Sequence, residues 1–413
     1  MDNLTKTTLR SLDDPKKQKI LILGGGFGGI KTALELADNP RFEVTLLSDR
    51  RDFRYYPLLY RSATGGSRVA SSIPLTEIFE GKDLSITQDE ATGLDRNQKT
   101  IKGKSGKSYS YDLLIVALGV VTNYFGIKGL KEYSYGIKTL EDAHELRDHL
   151  HKQLVDEQKP DLNYVVIGGG ATGVELAGVL PGYIGHIMKR HGLPKRQVEV
   201  DIVEAKERLI PDMNERYSRA LAKRLSKLGV ELHLDQRVEA ETADSLVVSG
   251  NLIRSRTVIW TAGVTNHPFL KHNGFTLSDR SKAVVNENLQ TEPDIYIIGD
   301  NADTPYSGLA QTALRDGLYV SDNIKRRAAG KSPLPYKPKR PAYVTPCGNW
   351  WAAVSWGSLQ LYGLPGWFLR RVADFIGYHD LEPWWKASKH WLADNDREES
   401  CPICAPKKGG WAT

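Results

Sequence analysis

The chain has 413 residues, a formal net charge of +6 at pH 7 and a hydrophobic content of 40%. This length suffices for two domains and an appendage, each able to bury its own core. The mild basic excess suits contact with nucleotides or acidic lipid headgroups, but it is too evenly spread to indicate nucleic-acid binding. No run of about 18 apolar residues occurs, so we expect no membrane-spanning helix, and residues 1–18 predict a solvated tail instead of a signal peptide.

A βαβ unit follows the tail. "KILILGGG" predicts a buried strand that meets glycines, and a helical stretch and a second strand, "FEVTLLS", come after it. Gly24, Gly26 and Gly29 have the spacing of a loop whose backbone N–H groups and helix N-terminus hold a pyrophosphate. The same spacing also fits an ordinary tight turn, but the preceding strand and following helix favour a dinucleotide site.

The same order returns 144 residues later, where Gly168, Gly170 and Gly173 follow the strand "NYVVI" and precede a helix and "VEVDIVEA". Two buried strands that end in glycine turns, "YDLLIVALGV" and "SRTVIWTAGV", close the two units. A further strand, "PDIYIIGDNAD", has no glycine fingerprint of its own. We therefore expect it to return to the first sheet, which makes the first domain discontinuous and the second domain an insertion.

The predicted fold is α/β, with two Rossmann-like dinucleotide-binding domains and an aromatic-rich helical C-terminal segment. In chain order we expect a tail, the first domain, the inserted second domain, the rest of the first domain and the C-terminal segment: 1–18, 19–125, 126–268, 269–335 and 336–413. All tryptophans except Trp260 lie from Trp350 onward, mixed with Leu, Arg and Lys as in interfacial helices. The alternative is a helical cap on a dimer partner or on the domain surface.

An acid at the end of the second strand of each unit is expected to bind a ribose hydroxyl. In the second unit this acid is Glu204, whose charge disfavours a 2′-phosphate and so favours NADH over NADPH. Lys206 and Arg208, just beyond it, weaken that preference. In the first unit Ser48 stands at the expected position and Asp49 follows it. A solvated loop carboxylate is the alternative for both acids.

Two dinucleotide sites in one chain indicate electron transfer between two nucleotides. A nicotinamide donates a hydride, and a flavin is its usual partner because it accepts two electrons together and releases them singly or together. Asp300, at the end of the returning strand, is expected beside the ribityl and phosphate part of a flavin in the first domain. A helix N-cap is its alternative role, and the two roles are compatible.

Across residues 19–330 the chain resembles the two-dinucleotide-binding-domain flavoproteins, and within them the type II NADH dehydrogenases, single-subunit NADH:quinone oxidoreductases that pump no protons. The motifs that carry the resemblance are "GGGFGG", "YYPLLYRSATGG", "VALGV", "GGGATGVELAG", "WTAGV", "IGDNAD" and "AQTAL". The resemblance implies FAD in the first domain, NADH as substrate in the second, and a membrane quinone as acceptor. It also implies a homodimer held peripherally on the cytoplasmic face of the cell membrane, or a cytoplasmic protein if the C-terminal segment binds no lipid.

The glycine spacing, the strand ends and the resemblance together assign the site residues. Those for FAD are Gly24, Gly26, Phe27, Gly28, Gly29, Ser48, Asp49, Ala91, Gly119, Gly299, Asp300, Ala310 and Gln311. Those for NADH are Gly168, Gly170, Thr172, Gly173, Glu204, Ala262 and Gly263. Glu175 matches a family glutamate beside the nicotinamide and flavin that is implicated in proton transfer, so we expect it to be catalytic. Stabilisation of an acid in the first turn by the helix dipole is the alternative.

The quinone site departs from the family at one position. Gln311 matches a family glutamine at the quinone entrance, but Arg315 stands where a second glutamine is common. This arginine has three interpretations: it contacts a polar quinone headgroup, it contacts a different acceptor, or it is a solvated helix residue.

The cysteines exclude one chemistry and leave another open. Disulfide reductases need a cysteine pair shortly after the first glycine loop, and sulfide:quinone oxidoreductases need cysteines near the flavin, but no cysteine precedes Cys347. So few cysteines favour a reducing, cytoplasmic compartment. Cys401 and Cys404 have zinc-knuckle spacing but supply only two of four ligands, so His390 or a second subunit would have to complete a metal site.

Two other functions are compatible with the sequence. One is a soluble NADH-dependent reductase of an electron-carrier protein such as a rubredoxin or ferredoxin. The other is a redox-sensing flavoprotein scaffold that resembles apoptosis-inducing factor.

Overall fold

The computed structural model describes residues 17–156, 161, 163–194 and 198–397, so Cys401 and Cys404 lie outside the described residues. Up to residue 122 the strands and helices are β1 (Gln18–Leu23), α1 (Phe27–Leu36), β2 (Phe42–Ser48), β3 (Asp52–Arg54), α2 (Leu59–Ser62), α3 (Arg68–Ser71), β4 (Ser72–Pro74), α4 (Leu75–Ile78), β5 (Ser85–Gln88), β6 (Ala91–Asp95), β7 (Thr100–Gly103), β8 (Ser108–Ser110), β9 (Leu113–Val116) and β10 (Val120–Thr122).

The second unit and the return to the first follow. Their elements are α5 (Leu130–Tyr133), α6 (Leu140–His151), β11 (Asn163–Ile167), α7 (Ala171–Arg190), β12 (Glu199–Glu204), α8 (Glu215–Lys227), β13 (Val230–Leu234), β14 (Val238–Glu241), β15 (Ser245–Val248), β16 (Asn251–Arg254), β17 (Thr257–Trp260), β18 (Val264–Asn266), α9 (Pro268–His272), β19 (Gln290–Glu292), β20 (Ile295–Ile297) and α10 (Ala310–Ala328).

The first sheet has the strand order β19-β20-β9-β1-β2-β5. Strands β1, β2, β5, β9 and β20 run parallel, with Ile20 opposite Val44 on one side and Leu113 on the other. The near-continuous apolar sequences of β1, β9 and β20 suit strands that are covered on both faces. Because β20 pairs with β9, Ile295–Ile297 does return to the first sheet, as the sequence predicts.

The second sheet has the order β13-β12-β11-β17, and all its strands are parallel. A two-stranded antiparallel ribbon links the two units, with Val120 opposite Asn266. The chain leaves the first unit through β10 and comes back through β18. The predicted fold, an inserted second dinucleotide-binding domain within a discontinuous first one, is therefore confirmed, while the exact domain boundaries stay predictions.

The C-terminal segment contains a sheet as well as the predicted helices. Its elements are β21 (Tyr343–Pro346), β22 (Ala352–Trp356), β23 (Leu359–Gly363), α11 (Leu364–His379) and α12 (Trp384–Ala393). Tyr378 and Ala387 of its helices belong to the same buried core as Ile20 and Val166 of the two large sheets. The segment is thus packed against both units. Among the described residues, no helix combines the length and apolarity that a bilayer crossing needs.

Candidate active site

The first glycine loop joins β1 to α1. Gly24 has a φ of +107°, and a Cβ there would stand 2.3 Å from the Ala117 carbonyl oxygen. A Cβ on Gly29 would stand 2.0 Å from the Gly24 carbonyl oxygen, so this glycine permits the close contact of helix and strand. Around Gly26, in contrast, no atom lies within 4 Å of an added Cβ. The space beside Gly26 is where a phosphate can approach the backbone.

The second glycine loop, between β11 and α7, repeats this geometry. Gly168 has a φ of +111°, and its Cβ would meet Ala262 Cα at 2.8 Å. A Cβ on Gly173 would stand 1.8 Å from the Gly168 carbonyl oxygen, whereas Gly170 is open. Neither α1 nor α7 has a side-chain cap at its N-terminus. Both helix N-termini therefore keep backbone N–H groups and a positive dipole end for an anion.

The second strand of each unit ends with a different polar group. The Glu204 carboxylate accepts hydrogen bonds from the backbone N–H of Gly169 at 2.6 Å and of Lys206 at 2.8 Å. In the first unit the Ser48 hydroxyl is buried beside the loop and accepts from the Arg50 N–H at 3.2 Å. Asp49 is exposed and forms an ion pair with Arg50. The two predicted ribose positions thus both lie against their glycine loops, with the carboxylate only in the second.

Gly119, Gly299 and Asp300 lie together just beyond the carboxyl ends of β9 and β20. Asn301 holds the two chain segments in place: its Oδ1 accepts from the Gly119 N–H at 2.8 Å and its Nδ2 donates to the Gly119 carbonyl at 2.7 Å. The Gly299 N–H donates to the buried Asp316 carboxylate at 2.9 Å. This edge of a parallel sheet is where nucleotide ligands bind in such folds.

Other predicted residues fall into three settings. Ala91 is buried in the core between the first sheet and strands β6 to β8. Thr172 and Ala262 are exposed beside the second loop. Gly263 is buried against the linking ribbon, where a Cβ would stand 2.2 Å from the Asn123 carbonyl oxygen.

Aromatic rings cover the start of α1. Phe27 is buried and packs edge-on against Phe53 at 4.9 Å between ring centroids and against Tyr55 at 5.8 Å. Gly28 is also buried, because α10 crosses α1 so closely that a Cβ on Gly317 would stand 2.8 Å from the Gly28 carbonyl oxygen. The first glycine loop is therefore enclosed on its helical side.

The predicted quinone residues bind the extended segment that follows α10. Ala310 begins α10, and the amide of Gln311 both donates to the Ala342 carbonyl at 3.2 Å and accepts from its N–H at 3.3 Å. Arg315, half-buried, donates to the Lys339 carbonyl at 3.0 Å. Arg315 thus binds the chain at Lys339 to α10, a role that the sequence did not predict.

Glu175 lies in α7, buried against the C-terminal segment. Burial raises its pKa to about 8, although Arg370, whose Nη1 lies 3.7 Å from its Oε1, lowers the pKa, and Asp374 raises it. Arg370 donates from Nε to Asp374 at 2.7 Å and from Nη2 to the Pro57 carbonyl at 3.0 Å, and the Tyr55 hydroxyl donates to Asp374 at 3.2 Å. Side chains from both units and from the C-terminal helix α11 therefore form one buried cluster of polar residues.

Sequence reasoning missed Arg370 and Asp374. Their only signal is an arginine and an aspartate four residues apart in a segment otherwise rich in Trp, Phe and Leu, a spacing that on most helices forms an exposed ion pair. The free Cys347 thiol is buried, and burial raises its pKa to about 12, so it is a poor nucleophile.

The fold and the paired glycine loops define the class: a two-domain oxidoreductase that binds two dinucleotides. Residues 18–317 match the family model described as "Pyridine nucleotide-disulphide oxidoreductase", and the chain belongs to this family.

Curated relatives and solved structures fit this class. Type II NADH:quinone oxidoreductases of Staphylococcus saprophyticus and Staphylococcus aureus are each 27% identical, and the matches cover 76% of this chain and 84% of each relative. The structure of NDH2 from Plasmodium falciparum in complex with NADH aligns with a TM-score of 0.82 at 20% identity, covering 92% of this chain and 97% of that one. The sulfide:quinone oxidoreductase of Aquifex aeolicus aligns with a TM-score of 0.75 at 19% identity, covering 90% and 92%.

Proposed function

We propose that this protein is a type II NADH:quinone oxidoreductase that uses FAD and attaches peripherally to the cytoplasmic face of the cell membrane. The curated relatives carry this activity in their names, and the matches span most of both chains. The observation that favours a membrane quinone over a soluble acceptor is the exposed face of helix α11.

Helix α11 presents a continuous apolar stripe to its surroundings. Four apolar residues follow one another at intervals of four positions, and each is between 51% and 59% exposed: Leu364, Phe368, Val372 and Ile376. Neighbouring elements add further exposed apolar side chains: Trp350, Trp356, Leu359, Trp384, Trp385 and Leu392. A soluble protein seldom leaves so large an apolar surface uncovered. Tryptophan-rich surfaces of this kind suit the interface of a bilayer.

The same helix buries its charges. Arg370, Arg371 and Asp374 are each less than 10% exposed, and they form ion pairs inside the protein. A helix on the surface of a soluble protein has the opposite arrangement, with apolar residues inside and charges outside. The inverted pattern supports a lipid environment on the outer side of α11.

The first glycine loop fits FAD. The open side of Gly26, the uncapped N-terminus of α1 and the Ser48 hydroxyl would hold its pyrophosphate and adenosine ribose. The second loop, with Gly170 open and Glu204 beside it, fits the corresponding parts of NADH. Bound FAD would supply a carrier that takes an electron pair from the nicotinamide and passes it to quinone.

Quinone reduction takes up protons as well as electrons, and Glu175 is our candidate for a proton source. With a pKa of about 8, its carboxyl holds a proton at neutral pH, unlike most surface carboxyls. Arg370 and Asp374 fix its position from the side of the C-terminal segment. Glu175 lies beside Arg370 of α11, the helix that carries the apolar surface.

Flotation with vesicles tests the membrane attachment. The full-length protein is expected to float with vesicles of mixed anionic and zwitterionic lipids. Phe368→Glu with Ile376→Glu should weaken binding by more than about tenfold, since each change replaces an exposed apolar side chain that would enter the bilayer with a charged one. Leu252→Glu is the matched control, because Leu252 is 63% exposed on the second unit far along the chain from α11. Its flotation should equal that of the wild type.

The enzymatic outcome is separate. Both variants should reduce a water-soluble quinone analogue with NADH at the wild-type rate, while only the control should reduce quinone embedded in vesicles efficiently. Protein that stays in solution yet rapidly reduces a rubredoxin or ferredoxin would point to the carrier reductase instead. We also propose the homodimer that the family resemblance implies. The molecular mass of the protein in detergent would determine its oligomeric state.

A further inference from the structure

A group of three ionisable side chains lies where α12 meets the first unit. His390 of α12 has its Nδ1 2.8 Å from the Val69 carbonyl oxygen. Since a carbonyl only accepts, Nδ1 carries the hydrogen, and Nε2 points away from it. That nitrogen stands 3.4 Å from Glu382 Oε2 and 3.5 Å from Glu77 Oε1. One imidazole nitrogen and two carboxylates thus converge on one point.

This point is deeply buried and lacks hydrogen bonds. His390 is 1% exposed and Glu382 is 4% exposed. Among the described residues, no hydrogen-bond partner meets either carboxylate oxygen of Glu382 or the Nε2 atom of His390. Leaving such groups unpaired in the interior is costly. Lys389 Nζ donates to Glu77 Oε1 at 3.0 Å, so the unmatched atoms of the cluster are those of Glu382 and His390.

We propose that Glu77, Glu382 and His390 bind a zinc ion. A tetrahedral zinc with ligands at about 2.0–2.1 Å separates its ligand atoms by about 3.3–3.4 Å, close to the distances around His390 Nε2. Glu77, Glu382 and His390 supply one ligand atom each, and a water molecule would complete the tetrahedron. Imidazole nitrogen favours zinc over calcium or magnesium, and a divalent ion neutralises the two carboxylates.

The hydrogen bond from Nδ1 to the Val69 carbonyl supports this assignment. Metal-binding histidines commonly donate their other ring N–H to a carbonyl or carboxylate, which fixes the ring and its tautomer. Glu77 belongs to α4 of the first unit, whereas Glu382 and His390 belong to the C-terminal segment. The ion would therefore fasten the segment with the apolar surface to the FAD-binding unit, independently of the acceptor that the enzyme uses.

Metal analysis of the purified full-length protein tests the site. After growth with zinc and removal of loose metal, we expect about one equivalent of zinc per chain in the wild type and less than about a tenth in Glu382→Gln, which keeps the size of the side chain. Substituted cobalt should give the visible bands of a tetrahedral site beyond the flavin absorption in the wild type only. Chelation should lower the Tm of the wild type and leave that of Glu382→Gln unchanged.

Two control variants make the assignment specific. His233 also lies near carboxylates, at 3.7 Å from Asp201, but it belongs to the second unit and not to the proposed site, so His233→Ala should keep the zinc. Cys401→Ser with Cys404→Ser should keep it too. The proposal is overturned if the wild type retains no zinc, if Glu382→Gln retains it, or if either control loses it.

Discussion

The two glycine loops have the same backbone but different surroundings. In the first loop the residue after the open Gly26 is Phe27, which is buried under aromatic rings, and Gly28 is buried under α10. At the corresponding positions of the second loop, Ala171 and Thr172 are exposed. Identical loops thus open into an enclosed site in one unit and an accessible site in the other.

This difference suits the two proposed ligands. A cofactor that stays bound gains from a covered site, whereas a substrate must enter and leave in each turnover. The helices behind the loops differ too: at the position where α7 has Glu175, α1 has Lys31, which is 144 residues earlier. Lys31 Nζ donates to the Asp380 carbonyl at 3.2 Å, and Glu175 pairs with Arg370. The C-terminal segment therefore contacts both helices, through a lysine on α1 and a carboxyl on α7.

The largest expected effects come from the third glycine of each loop. A Cβ at Gly29 or Gly173 would overlap a carbonyl oxygen of the same loop, at a cost of about 3 kcal/mol or more. We expect Gly29→Ala to lose FAD and most of its soluble yield. Gly173→Ala should retain FAD, seen in the visible spectrum, but fail to be reduced by NADH.

Gly182→Ala is the control for these variants. It lies within α7 with no atom within 4 Å of an added Cβ, so alanine should be neutral or stabilise the helix by about 0.5–1 kcal/mol. If Gly29→Ala binds FAD as well as Gly182→Ala does, the first loop does not hold the flavin.

The next largest expected effect is on turnover, and it distinguishes Glu175 of α7 from Lys31 of α1. Glu175→Gln should keep FAD but lower turnover with NADH and a soluble quinone by about 100-fold at neutral pH, if the carboxyl donates a proton. Wild-type turnover should fall as pH rises through about 8, where the carboxyl ionises, and the variant should lack this step. Lys31→Met, at the equivalent position of α1, should change turnover by less than about twofold. Equal pH profiles for wild type and Glu175→Gln would remove the proposed role.

Stability offers a second measurement on Glu175. Its pKa is about 8 in the folded chain against an ordinary glutamate value of 4.5, so the folded state binds its proton more tightly. This contribution to the free energy of unfolding is fully present below pH 4.5 and is lost as the pH rises through about 8. The Tm difference between Glu175→Gln and the wild type should therefore shift in favour of the variant over this range.

The smallest effect concerns the ribose positions. Glu204→Gln should raise the KM for NADH by about fivefold to tenfold with little change in kcat. The preference for NADH over NADPH should also decrease, because the charge that repels a 2′-phosphate is gone. Asp49→Asn, at the end of the corresponding strand in the first unit, is the control. It should leave the KM for NADH unchanged, and an equal rise in both variants would mean that neither acid is specific to NADH.

Much of the fold could be predicted from local patterns. The spacing of Gly24, Gly26 and Gly29 after an apolar strand and before a helix specifies a βαβ turn, and its repetition specifies a second one. The return of Ile295–Ile297 to the first sheet was predictable because an apolar strand without a glycine loop needs an existing parallel sheet to cover it. The β21–β23 sheet was not predicted, since aromatic side chains are common in interfacial helices and in strands alike.

The polar groups of the site were harder to predict. Arg370 and Asp374 read as surface residues of an amphipathic helix, and only the packing of α11 shows that they are buried beside Glu175. Glu77 and His390 are more than 300 residues apart, so nothing local relates them.

The sequence by itself determined the two dinucleotide-binding units, because backbone constraints at glycines and the apolarity of parallel strands act over a few residues. Only the tertiary structure decided which loop is enclosed and which is open, and which face of α11 is turned outward. These features depend on what packs against each element. Segments that are distant in the chain determine which groups are buried, and burial changes the energetic cost of every charge.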